Sequence, residues 1–103
     1  MVRHIVLLKF KKKMTSHKIN LIFKKLAELQ LIIPIIKSFS WGKYESHEAL
    51  NQGFTHCFIM EFKNQKDRDQ YLAHPAHIKF AVKTIFPVLE SKLKSLIVFD
   101  YET

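Results

Sequence analysis

The chain has 103 residues, the common size of one domain, with no room for a second. Apolar residues make up 48% of it and nine are phenylalanine, so it can build a core, but at this length folding buries well under three-quarters of the unfolded surface and a partner would add stability. Seventeen Lys and Arg against nine acids leave a formal charge of +8, which raises an anionic partner as a question for the arrangement of those charges.

Val2–Phe10 is rich in Ile, Val, Leu and Phe and too short for a stable helix, which predicts a first strand. The run "KFKKK" at Lys9–Lys13 sits where that strand gives way to a loop. The remaining lysines are scattered, so no basic stripe interleaved with aromatics forms in the sequence and no nucleic-acid partner is expected. Thr15 or Ser16 caps a helix whose apolar positions Ile19, Ile22, Phe23, Leu26 and Leu29 share one face, and Pro34 ends it. Ile35–Tyr44 reads as a second strand, followed by a polar loop closing at Gly53. Phe54–Phe62 alternates, with Phe54, His56, Phe58, Met60 and Phe62 on one face, and predicts the third strand. Asn64 with Asp67 marks the start of a short polar helix that reaches Leu72 and ends at His74, because Pro75 disfavours helical geometry in the residue before it. Ile78, Ala81, Val82, Ile85 and Leu89 mark a further helix, which Pro87 kinks or ends early, and Ser95–Tyr101 is the fourth strand.

The order β-α-β-β-α-α-β predicts one α+β domain over residues 1–103 of the ferredoxin-like kind, a four-stranded antiparallel sheet with helices on one face. The other face would carry Arg3, Ile5, Leu7, Lys9, Thr55, Cys57 and Ile59, with a last strand apolar on both sides. Monomers avoid exposing such a surface, so a homodimer packed sheet to sheet is expected. No window approaches the ~18 apolar residues of a membrane span and no A-x-A cleavage region follows the N-terminus, which predicts a cytoplasmic protein with no membrane partner. Cys57, the only cysteine, excludes an intrachain disulfide and a cysteine-rich zinc motif.

His4 and His56 each interrupt an otherwise apolar strand face. Either one alone reads as a core histidine bonded to a carbonyl or hydroxyl; the two together with Tyr71 and His77 point to a polar-floored cavity for a small-molecule ligand. On an unbroken helix Tyr71 and His77 would stand about 240° apart, and the Pro75 break is what lets them converge. Histidine suits a general base, its ordinary pKa lying near ~6.5, and a tyrosine hydroxyl suits the donor that holds a developing enolate oxygen. The same groups suit simple binding of a carbonyl or phenolic ligand. His74 and His77 lack the third and fourth ligands of a zinc site, so neither metal nor cofactor is expected; His74 is assigned to the turn, His17 and His47 to the surface. Cys57 falls on the face opposite His56 and no Gly-x-Ser-x-Gly elbow occurs, which argues against nucleophilic catalysis.

The stretches "MVRHIVLLKFK", "WGK" at Trp41–Lys43, "GFTHCFIMEF" from Gly53, "YLAHPAH" at Tyr71–His77 and "VFDY" near the end resemble, in order and spacing, the stress-responsive A/B barrel (Dabb) family across almost the whole chain. The resemblance implies a ferredoxin-like subunit paired sheet against sheet in a dimeric α/β barrel. Family members range from stress-associated proteins to a plant polyketide cyclase with a working Tyr/His pair, and neighbouring barrels include cofactor-free monooxygenases. Carried over by motif, Tyr71 and His77 match the catalytic pair and His4 and His56 match the strand histidines; His4, His56 and the neighbouring Phe58 are the expected substrate-binding residues. The expected function is that of a homodimer with a small-molecule pocket between sheet and helices, whose catalytic competence the sequence leaves open; one reading is a cofactor-independent His/Tyr cyclase or lyase acting on a carbonyl, polyketide-like substrate. Alternatives are a non-catalytic ligand-binding or structural dimer and a cofactor-free monooxygenase. After "HPAHIKFA" the chain runs several residues longer than the plant cyclase, which leaves the far wall of the pocket without a match.

Overall fold

A computed structural model describes residues 1–103. The strands are β1 (Val2–Leu8), β2 (Ser38–Lys43), β3 (His56–Phe62) and β4 (Leu96–Glu102), with helices α1 (Ser16–Ile32), α2 (Gln65–Ala73) and α3 (Pro75–Phe80) between them. They form one antiparallel sheet in the order β2-β3-β1-β4, the ferredoxin-like arrangement that the element order predicts. Along β1 the alternation is exact in burial: Val2, His4, Val6 and Leu8 are buried under the helices while Arg3, Ile5 and Leu7 face away.

The helix ends follow local chemistry. The Thr15 side chain accepts the Lys18 N–H at 3.2 Å, and α1 buries Ile19, Ile22, Phe23, Leu26 and Leu29 before the Ile33 N–H closes on Leu29 O ahead of Pro34. The Asn64 side chain accepts the Asp67 N–H at 2.8 Å and starts α2. His74 is extended, with φ −68° and ψ 133°, because a residue before proline avoids the helical region. Its Nδ1 accepts the Ala76 N–H at 3.0 Å, so His74 caps α3, and Pro75 occupies the first helical position, where its missing N–H costs nothing.

Several boundaries differ from the sequence expectation; β3 begins at His56 because Phe54 is spent closing the preceding loop, its N–H on Asn51 O. β1 stops at Leu8, and Phe10 touches the fold again through a single bridge to Leu89, so Lys9 leaves the sheet. β2 begins at Ser38, since Pro34–Ile36 is spent in a turn closed by the Ile36 N–H on Ile33 O. The helix after α3 changes character before Pro87: Ala81–Ile85 widens into turns with i→i+5 hydrogen bonds, the Phe86 N–H reaching Ala81 O, and tightens to a single 3₁₀ turn at Phe86–Val88.

The core lies between sheet and helices, where Phe23, Met60, Phe62 and Tyr71 are almost fully enclosed. Each such side chain contributes roughly 1.5–3 kcal/mol on burial. The other face of the sheet is uncovered. It carries Ile5, Leu7, Cys57 and Ile59 in its middle and Ile97 and Phe99 on β4, with Phe99 62% exposed. At one end of that face Arg3 Nε donates to Glu61 at 3.1 Å and Arg3 Nη1 to the Tyr101 hydroxyl at 2.9 Å, while Ser38 donates to Glu61 at 2.8 Å. No helix is long and apolar enough to cross a membrane.

Candidate active site

A cavity of about 370 Å³ opens between the β1–β4 half of the sheet and the helical segments above it. Val6, Leu26, Phe58, Phe80 and Ile85 supply apolar wall, and His4, Tyr71 and His77 line it as well. Its volume is that of a small-molecule site, and its makeup, mostly apolar with a few convergent polar groups, is the usual one.

Tyr71 lies in the last turn of α2 and His77 in the first turn of α3, and the bend at His74-Pro75 sets their rings 4.4 Å apart at 47°. The His77 Nδ1 lies 3.0 Å from Leu72 O. A carbonyl only accepts, so Nδ1 carries the proton and Nε2 keeps its lone pair. Burial lowers the His77 pKa; the bond to Leu72 opposes that shift, and the nearby His4 and His74 add to it. The ring is therefore neutral and able to accept a proton at neutral pH. Tyr71 is 1% exposed, and burial pushes its phenol well above the ordinary value, which keeps it a hydroxyl donor. That hydroxyl takes part in none of the side-chain hydrogen bonds, yet no fully enclosed polar side-chain atom lacks a partner, so it opens onto the cavity it lines.

His4 is 4% exposed on β1 and is held by a group that sequence reasoning missed. Its Nδ1 is 2.8 Å from Asp100 Oδ1, and the second oxygen of Asp100 accepts from Arg68 Nη1 at 2.9 Å. Arg68 also donates to Asp69 at 2.8 Å; hydrogen bonds to both carboxylates raise its pKa. Since the carboxylate accepts, the His4 Nδ1 donates and Nε2 is left as the free ring nitrogen. The signal was present: Asp100 interrupts the inner face of β4 as His4 interrupts that of β1, and the two are direct cross-strand partners. Edge contacts to Phe58 at 6.2 Å and Tyr71 at 5.9 Å fix the imidazole further.

His56 does not join them. It pairs with Leu8, four residues along β1 from His4, or roughly 13 Å at the usual rise of a strand. Its ring lies against Phe10 at 5.2 Å and Phe23 at 5.9 Å, and Thr55 Oγ1 is 2.7 Å from its Nδ1. Phe23 and Phe58 stand between it and His4. Sharing a strand face with Phe58 was thus not enough, because the face is longer than the cavity. Burial and then Lys43 lower the His56 pKa. Cys57 lies on the opposite face, half-buried, with its thiol pKa raised by burial. His74 is committed to its cap, and no three His, Cys, Asp or Glu side chains gather at metal-ligand spacing.

Residues 2–103 match the family model described as the Stress responsive A/B Barrel Domain. The chain is 40% identical to the stress-response A/B barrel domain-containing protein HS1 of Arabidopsis thaliana over 101 residues, covering 98% of this chain and 88% of that one. It is 33% identical to the olivetolic acid cyclase of Cannabis sativa over 100 residues, 97% and 94% of the two chains. Among solved structures, the hydroxynitrile lyase from Passiflora edulis superimposes with a TM-score of 0.84 at 30% identity, covering 97% and 90%. A protein from Jannaschia sp. CCS1 described as dimeric and ferredoxin-like has the same fold, with a TM-score of 0.85 at 20% identity over 99% and 98%. Fold, sheet order and sequence match agree, and the chain belongs to the stress-responsive A/B barrel domain family.

Proposed function

We infer that the protein is a cofactor-independent acid–base enzyme that forms or breaks a carbon–carbon bond next to a carbonyl inside the His4/Tyr71/His77 cavity. The observation that carries this reading is the convergence of three groups on one mostly apolar space: a neutral imidazole with a free Nε2, a buried tyrosine hydroxyl with no internal partner, and a second imidazole oriented by a carboxylate. In the ring-closing direction, His77 Nε2 takes a proton from the carbon beside a carbonyl. The electron pair moves onto that carbonyl oxygen, which accepts a hydrogen bond from Tyr71. The carbanion carbon then adds to a second carbonyl, whose oxygen receives the proton back. In reverse, the same groups deprotonate an alcohol and release a stabilised carbanion, with no change of oxidation state either way. The named activities of two relatives, a cyclase and a lyase, fall on these two directions and support the reading. A homodimer through the uncovered sheet face belongs to the same proposal, and the dimeric description of structural neighbours supports it.

The test is turnover of a short poly-β-keto thioester and of an aromatic cyanohydrin by the purified full chain. Tyr71→Phe and His77→Ala are expected to lower kcat by about 10²–10⁴ while the circular dichroism spectrum is unchanged. Thermal stabilisation by these compounds without turnover would reduce the proposal to a binding module.

A further inference from the structure

The basic run at the end of β1 does not stand alone in the folded chain. Lys11 and Lys12 border a second cavity, of about 520 Å³, which Trp41 and Lys43 of β2, Thr55 and the first residue of β3, His56, also line. This space lies beyond the ring wall His56–Phe23–Phe58–His4 and is separate from the candidate active site. No Asp or Glu is among its lining residues, and none of the chain's four ion pairs uses a lysine, so Lys11, Lys12 and Lys43 keep their charge free.

Trp41 supplies an aromatic surface in the same cavity as these lysines. One face of its indole lies on Phe23, with ring centroids 4.3 Å apart and planes 5° from parallel, and the residue is still 39% exposed. The indole is thereby fixed in place and lines the cavity, a preformed platform that loses little rotamer freedom when a flat ring settles on it. Trp41 pairs with Phe58 and Lys43 with His56, which puts both on the helix side of the sheet and away from the uncovered face.

We propose that this cavity is a binding site for a phosphorylated nucleotide, its base stacked on Trp41 and its phosphates held by Lys11, Lys12 and Lys43. A stacking surface combined with a positive pocket free of carboxylates selects for a ligand that is flat at one end and polyanionic at the other. The volume is within the range of about 300–1,000 Å³ usual for such ligands. Thr55 and the half-buried His56, bonded to each other at 2.7 Å, line the space as well and leave the second ring nitrogen of His56 for a ligand.

Trp41 is the only tryptophan, so its fluorescence reports the site directly. ADP, adenosine, inorganic pyrophosphate and a short single-stranded oligonucleotide are titrated into the full chain, with calorimetry in parallel. ADP is expected to quench Trp41 saturably, with adenosine and pyrophosphate each at least about tenfold weaker, and affinity falling as salt is raised. Lys43→Ala and the Lys11→Ala/Lys12→Ala pair are expected to weaken ADP by about tenfold or more with unchanged circular dichroism. Absence of both quenching and heat up to about 5 mM ADP overturns the proposal. So does pyrophosphate binding as tightly as ADP, which would remove Trp41 from the site, or an oligonucleotide binding about tenfold tighter than ADP and displacing it, which would make this a nucleic-acid surface.

Discussion

Tyr71 and His77 differ in what their removal should cost, because one is bonded within the chain and the other is not. The Tyr71 hydroxyl has no internal partner, so Tyr71→Phe is expected to change the unfolding free energy by less than about 1 kcal/mol while lowering kcat as proposed, a split that urea melts and kinetics measure together. Asp100→Ala should behave in the opposite way. It leaves the buried His4 N–H without its acceptor and removes the Arg68 Nη1 bond, while Arg68 keeps Asp69, a loss of about 1–3 kcal/mol visible in the urea midpoint. The histidines also set a pH dependence. Burial lowers the native pKa of His77 and His56, so the unfolded chain takes up these protons first as the pH falls. Their contribution to stability is intact above the ordinary value of about 6.5, declines through the window between that value and the lowered native ones, and is constant below it. Urea midpoints between pH 7.5 and 5.5 should fall toward acid, and a His56→Phe/His77→Phe variant should show a shallower fall.

At the scale of elements, the Pro75 break is the device that assembles the site. Pro75→Ala removes the restriction on His74 and is expected to let α2 run on into α3, turning Tyr71 and His77 apart. The expected result is equal or greater helicity with turnover lost, read by circular dichroism and kinetics on the same sample. His74→Ala, by contrast, removes only the cap to Ala76 and should cost about 1 kcal/mol. Features governed by local chemistry were legible in the sequence: the caps at Thr15 and Asn64, the end of α1 before Pro34, the role of His74 and the alternation of β3. Features governed by tertiary pairing were not. Asp100 gains meaning only once β4 is placed beside β1, and His56 is separated from His4 by its register with Leu8, which alternation along one strand cannot reveal. The widened turns at Ala81–Ile85 have no marker in the sequence either, since Pro87, the visible breaker, acts one turn later.

For the whole molecule, the uncovered sheet face and the cavity lie on opposite sides, so assembly and chemistry are separable. Introducing charge at Ile97 and Phe99, which stand exposed on the edge strand β4 of that face, should convert the proposed dimer to a monomer without displacing His4, Tyr71 or His77; an Ile97→Lys/Phe99→Glu variant measured by light scattering tests this. A wild-type chain that is monomeric at micromolar concentration would contradict sheet-to-sheet pairing. Acid–base work by Tyr71 and His77 on a carbonyl compound is the proposal on which the rest depends, and kcat of the wild type, Tyr71→Phe and His77→Ala on the same poly-β-keto thioester, with folding checked by circular dichroism, decides it. Turnover by the wild type and a loss of about 10²-fold or more in each variant are expected; variants that keep wild-type turnover would overturn the assignment.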